Sequence, residues 1–118
     1  MRSFRFSTWL CRFLLAFLIV GAVIPTASSA APHNQLVLYV AKYCSHCRRA
    51  EHYLLERGVR FEIRDISQSS QFHREWKEQY RGDIVPLLVL DNGRAMLDGF
   101  QRQNYDLFLK QHSISTRN

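Results

Sequence analysis

Residues 35–58 read QLVLYVAKYCSHCRRAEHYLLERG, and the hydrophobic period changes within them. Gln35 to Ala41 is apolar on both alternating faces, the pattern of a strand covered on both sides. From Ser45 the apolar positions fall at helical spacing. Cys47, Ala50 and Leu54 form one stripe, Arg48, Arg49, Glu51 and Glu56 lie elsewhere, and Gly58 stands where a left-handed cap would end the helix. A buried strand therefore runs straight into a Cys-x-x-Cys pair that opens a helix, with Cys44 at the turn and Cys47 one turn in.

Toward the C-terminus, Val59 to Ile66 alternates, with Val59, Phe61 and Ile63 on one face and Arg60, Glu62 and Arg64 on the other. Ser67 to Ser70 offers a helix cap. Phe72, Trp76 and Tyr80 then follow at i, i+4 and i+8 on a second helix that Gly82 ends, a stripe read as core. Asp83-Ile84-Val85-Pro86 leads into the strand Leu87–Leu90, and Asp91-Asn92-Gly93 turns it into the short strand Arg94–Leu97. After the break at Gly99, Gln101 to His112 forms a last helix with Tyr105, Phe108, Leu109 and His112 on one face. The predicted order is β1-α1-β2-α2-β3-β4-α3, an α/β fold. Right-handed crossover makes the first two strands parallel and the hairpin makes the last two antiparallel.

Toward the N-terminus the chain reads as an address. Residues 1–12 carry Arg2, Arg5 and Arg12 and no acid, Phe13 to Ile24 is apolar, and Pro25 to Ala31 is small and polar. This is the layout of a secretory signal peptide, and the apolar run is shorter than the roughly 20 residues a membrane-crossing helix needs. Residues 1–30 are read as the signal, cut after Ala30, with cuts after Ala27 or Ser29 and an uncleaved anchor as alternatives. Residues 31–118 are the working domain, and the expected location is the periplasm, the cell envelope or the medium. Cys11 lies upstream of the apolar run and is lost with the signal.

The 118 residues are 47% hydrophobic with only 5 Gly and 3 Pro, which excludes a disordered or low-complexity chain. The net charge is +6, from 16 Lys and Arg against 10 Asp and Glu. From residue 31 onward the basic residues alternate with acids and form no stripe, so nucleic acid is not an expected partner. A monomer is expected, touching a membrane only through a retained N-terminal segment.

The chemistry rests on Cys44 and Cys47. Unpaired backbone N–H groups and the positive end of the helix dipole stabilise a thiolate on a first turn. Cys44 is expected to be the exposed nucleophile, and Cys47, on the apolar stripe, the resolving thiol. Cys44 attacks a substrate disulfide and Cys47 then displaces the product by closing the Cys44–Cys47 bond; the reverse direction oxidises a dithiol. An exported metal carrier holding Cu(I) or Zn(II) through the same pair, with His46, is the competing class. Such copper carriers follow a βαββαβ order with a Met before the first cysteine, and this chain has a helix between its second and third strands. A redox-inert binding scaffold is a third class.

With these residues in view, the chain resembles the thioredoxin superfamily, and within it the glutaredoxins and related small proteins. The resemblance runs from LVLYVAKYCSHCRRAEHYLLERGVRFEIRDI through the Ile84-Val85-Pro86 step to LLVLDNGRAMLDGF and the last helix. It implies the thioredoxin fold, a mixed four-stranded sheet flanked by helices, and a thiol–disulfide oxidoreductase whose partners are protein thiols and disulfides. It implies no bound cofactor beyond the redox-active Cys44–Cys47 disulfide and no metal, with glutathione a candidate co-substrate. It also implies a cis Val85–Pro86 bond facing the disulfide, making Val85 and Pro86 the edge on which a cysteinyl peptide docks as an added strand.

Departures from the family are equally specific. Between the cysteines stand Ser45-His46 in place of the usual Pro-Tyr, and a His there resembles strongly oxidising periplasmic thiol oxidases. Lys42, Tyr43, Ser45 and His46 are therefore the residues expected to tune Cys44. The basic residue three before the first cysteine is replaced by Ala41, with Lys42 one position later. The Gly-Gly-Asp-Asp pattern that binds glutathione is missing. Leu97-Asp98-Gly99-Phe100 looks instead like the Gly-Phe of thioredoxin-reductase-dependent relatives, which adds Gly99 and Phe100 to the docking residues. His52 is predicted on the surface, His33, His73 and His112 as structural or solvated, and Arg48 and Arg49 as a solvated face, with assistance to the thiolate or guidance of an acidic partner as their alternative roles.

Overall fold

The computed structural model describes residues 34–117. The predicted signal segment and His33 lie outside the described residues. The elements are β1 (Leu36–Val40), α1 (Ser45–Glu56), β2 (Glu62–Asp65), α2 (Ser70–Arg74) with a π turn over Glu75–Gln79, β3 (Leu87–Leu90), β4 (Ala95–Asp98) and α3 (Arg102–Gln111). The sheet order is β2-β1-β3-β4. β1 runs parallel to β2, with Leu38 opposite Ile63, and antiparallel to β3, with Leu38 opposite Leu88. β3 pairs antiparallel with β4, Leu88 facing Leu97.

The unbroken apolar run of β1 is explained by its place in the middle of the sheet, where both faces are covered. Leu36, Leu38 and Val40 pack with Cys47, Ala50 and Leu54 of α1 and Tyr105, Phe108 and Leu109 of α3. The alternate residues Val37 and Tyr39 pack on the other face against Trp76, Leu87 and Val89. Leu54 is fully buried, so Leu54→Ala would cost about 2–5 kcal/mol through lost contacts and the cavity left behind. Tyr39 turns its hydroxyl to the edge of the second layer, where it donates to Glu75 Oε2 at 3.1 Å. Arg64 Nη1 reaches the same carboxylate at 2.7 Å and completes the cluster.

Two expectations need correcting. Ile63 does not share a buried face with Val59 and Phe61; it is 43% exposed, because β2 is an edge strand with only β1 beside it. The second helix is not α-helical through Tyr80. Its final turn is wound more widely, with Tyr80 N–H donating to Glu75 O, five residues back, at 3.1 Å. Trp76 remains buried, with Phe72 and Tyr80 packed beside it, so the aromatic stripe is core as read.

The predicted hairpin is present, with β4 starting one residue later than expected. Asp91 and Asn92 take left-handed backbone angles, φ 45° and 56°, a region in which Asp and Asn are enriched. The carboxylate of Asp91 accepts the Gln35 N–H at 2.7 Å and fastens the turn to the start of β1. Gly58, at φ 63°, caps α1 as expected.

Candidate active site

Cys44 and Cys47 form a disulfide with their Cα atoms 5.2 Å apart. Cys44 is the N-cap of α1, with extended backbone, and its Sγ accepts the Cys47 N–H at 3.1 Å. A side-chain acceptor at an N-cap satisfies one of the four free N–H groups of a helix start. Cys44 is partly exposed, whereas Cys47 lies in the core beside Ala50 and Leu54. The outer sulfur is thus the one an incoming group can reach.

The loop before the pair is tied down from the neighbouring strand. Lys42 N–H donates to Ser67 Oγ at 2.9 Å, and Ser67 N–H in turn donates to the carboxylate of Asp65 at the end of β2. Tyr43 sits at φ 62° and is 88% exposed. The Lys42 ammonium stands 5.1 Å from the centre of its ring. Ser45 and His46 are both exposed.

The Val85–Pro86 bond is cis, as the family resemblance implies. The Val85 carbonyl oxygen stands 3.9 Å from Cys44 Sγ. With the sulfur in a disulfide there is no thiol proton, so this is a contact and not a hydrogen bond. The segment is held from two sides. The Trp76 indole N–H donates to Ile84 O at 3.3 Å, and Gly99 N–H donates to Pro86 O at 2.8 Å. Gly99 has φ 69°, which glycine adopts without the strain a side chain would bring. Val85 is thereby held at the disulfide, with Gly99 hydrogen-bonded to the adjoining Pro86.

Phe100 is placed differently from a simple docking surface. Its ring packs edge-on against Tyr53 and Tyr105, with centroids 5.8 and 5.0 Å away. It forms one wall of a cleft of about 680 Å³ between α1 and the start of α3. Ser45, His46, Arg49, His52 and Arg102 also line this cleft. Beneath it, burial and a hydrogen bond to Asp106 push the Tyr53 phenol up to about 12. The same hydrogen bond holds the Asp106 carboxyl below the usual carboxylate range, with Arg57 contributing. Arg57 closes on Asp106 at 2.7 Å.

His52 is exposed, as read, and pairs with Glu56 at 3.3 Å. His73 lies tilted against Trp76 and His112 edge-on against Phe108. Sequence reasoning passed over Gln101, Arg102 and Glu51. The last could have been found as the residue one turn after Cys47; it joins both cysteines around a smaller recess of about 170 Å³. Nothing local to Gln101 or Arg102 signals their approach to α1. Among the described residues, no group of three or more His, Cys, Asp or Glu side chains is disposed to hold a metal ion. No helix among them is long and apolar enough to cross a membrane.

Comparison with known proteins fits this geometry. The sequence profile of the glutaredoxin family matches residues 36–94. A thioredoxin-like protein of known crystal structure superposes with a TM-score of 0.56 at 20% identity, covering 66% of this chain and 99% of that one. The glutaredoxin of Archaeoglobus fulgidus superposes with a TM-score of 0.55 at 18% identity, covering 65% of this chain and 87% of that one. At such identities the likeness concerns the fold, which is the thioredoxin fold. No curated protein matches the chain.

Proposed function

The chain belongs to the glutaredoxin family and is a glutaredoxin-like thiol–disulfide oxidoreductase; from that premise we propose that it works outside the cytoplasm, exchanging disulfides with protein thiols through Cys44. The observation that carries the roles is the asymmetry of the pair, an accessible Cys44 at the helix cap and a Cys47 that is 3% exposed. The Cys44 thiolate attacks one sulfur of a substrate disulfide and expels the other as a thiolate, leaving a mixed disulfide. The Cys47 thiolate then attacks Cys44 Sγ, expels the remaining substrate thiolate and closes the Cys44–Cys47 bond. Two electrons pass from the dithiol to the substrate; run backwards, the sequence oxidises a substrate dithiol. An external thiol–disulfide couple resets the pair.

Docking is assigned to Val85 and Pro86, with Gly99 and Phe100 at the adjacent corner. The support is the 3.9 Å approach of the Val85 carbonyl to Cys44 Sγ, which leaves a bound cysteinyl peptide lying along that backbone as an added strand. Lys42, Tyr43, Ser45 and His46 are assigned the tuning of Cys44 from their positions around it. Glutathione enters as a co-substrate on family grounds, although Ala41 stands where the family places a basic residue and the Gly-Gly-Asp-Asp pattern is missing. Export rests on the basic, apolar and small-residue layout of residues 1–31, with a working domain of residues 31–118 acting as a monomer.

The test is an equilibrium titration of the purified protein in reduced and oxidised glutathione, followed by alkylation and mass measurement. A potential near roughly −120 mV identifies a disulfide donor, and one near about −230 mV or lower a reductant. In parallel, Cys44→Ser should abolish exchange and Cys47→Ser should accumulate mixed disulfides. Full activity in Cys44→Ser would sink the assignment.

A further inference from the structure

The cleft between α1 and the start of α3 is cationic as well as adjacent to the disulfide. Arg48, Arg49 and Arg102 line it, and among the described residues none of the three has a carboxylate within ion-pairing distance. Glu56 is the single acid on its walls, against three arginines, and has His52 Nδ1 at 3.3 Å. The guanidinium of Arg102 stands over the Tyr53 ring, 5.9 Å from its centre, a cation–π contact that holds the charge at the wall of the cleft.

The cleft is also continuous with the docking edge. Gly99 N–H bonds Pro86 O at 2.8 Å, and the next residue, Phe100, is a wall of the cleft. The opposite wall includes Ser45 and His46, the two residues between the cysteines. A peptide whose sulfur meets Cys44 and whose backbone follows Val85 is led past this corner into the arginines. Guanidinium groups without internal partners match carboxylates in charge and in forked hydrogen-bonding geometry.

Resting on the exchange reading above, we propose that this cleft selects acidic polypeptide substrates, receiving Asp or Glu side chains that lie a few residues from the exchanged cysteine. Charge complementarity of this kind raises the association rate and is weakened by salt.

The test uses two peptides, each with one cysteine in a mixed disulfide with 2-mercaptoethanol, one flanked by Glu and Asp and one by Gln and Asn. Exchange with the reduced protein is followed at low and high NaCl. The acidic peptide is expected to react roughly five- to tenfold faster at low salt. That ratio should fall toward one at about 1 M NaCl, where the screening length is near 3 Å, and also in the double variant Arg49→Gln, Arg102→Gln. Equal rates for the two peptides at low salt overturn the proposal, as does a ratio that survives in the double variant.

Binding of a fluorescent acidic peptide with Ser in place of Cys is measured separately by anisotropy, against its neutral counterpart and against reduced glutathione as competitor. Preferential, salt-sensitive binding that the double variant loses supports the cleft even if exchange fails. Absence of exchange with both peptides and with hydroxyethyl disulfide would instead sink the oxidoreductase reading. Displacement by glutathione at concentrations equimolar with the peptide would assign the arginines to that small carboxylate in place of a polypeptide, and overturn the proposal.

Discussion

The backbone N–H of Cys47 donates to Sγ of Cys44 across 3.1 Å, so the second cysteine of the pair supplies the hydrogen bond that caps the helix at the first. In the reduced protein the same N–H, with the free N–H groups around it, favours negative charge on the outer sulfur. Cys47 is 3% exposed and packed on apolar side chains, surroundings that disfavour an ionised thiol. Limiting iodoacetamide is therefore expected to label Cys44 at least about tenfold faster than Cys47. Peptide mass mapping reads the ratio, and equal labelling would contradict the assigned roles.

Tyr105 is fully buried in the main core, and its hydroxyl has no hydrogen-bond partner among the described residues. Burial alone raises its phenol above the ordinary range. An unsatisfied buried hydroxyl costs about 1–3 kcal/mol, while the ring earns its place by edge-on packing with Tyr53 and Phe100. Tyr105→Phe keeps the ring and removes the cost. It should stabilise the fold by about 1 kcal/mol, seen as a higher urea midpoint at unchanged slope; a lower midpoint refutes the account.

Gly58 ends α1 at φ 63°, and a Cβ there would run into the side chain of Arg117. Gly58→Ala meets both the left-handed backbone penalty and that clash, and should cost about 1–2 kcal/mol. Thermal unfolding would register it as a drop of several degrees. No change would mean that the tail around Arg117 moves aside and that the backbone angle relaxes.

The Tyr53–Asp106 pair gives stability a pH dependence whose sign follows from its two shifts. Asp106 is held below the usual carboxylate range by the Tyr53 hydroxyl, so its contribution is present above about pH 4 and is lost as pH falls through the lowered value. Tyr53 is pushed up to about 12, so its contribution is complete below about pH 10 and is lost as pH rises toward 12. In Asp106→Asn the acid limb of the stability profile should flatten relative to the parent. Superimposable limbs in urea titrations between pH 3 and 7 would count against the pair.

Most of this architecture was legible because the strands and helices announce themselves locally. Val37 and Tyr39 face one layer and Leu38 and Val40 the other, as a run that is apolar on both faces requires. Cys47, Ala50 and Leu54 are buried at the helical spacing read from them. What escaped was set by neighbours distant in sequence. Ile63 is exposed because β2 has a partner on one side only, which no local pattern records. The wide turn before Tyr80 leaves the aromatic spacing intact and so leaves no trace in it. Arg102 reaches the site only because α3 packs beside α1, from which it is separated by 46 or more positions along the chain.

Asn34, where the described chain begins, shares a surface recess with Gly58 and Arg117, at the C-terminal end of α1 and the tail that follows α3. The cysteines occupy the other end of that 12-residue helix, about 18 Å away along its axis at 1.5 Å per residue. Asn34 and Arg117 therefore lie at the end of α1 away from the chemistry. A fusion partner, an affinity tag or a solid support joined at either one leaves the sulfur of Cys44 facing outward.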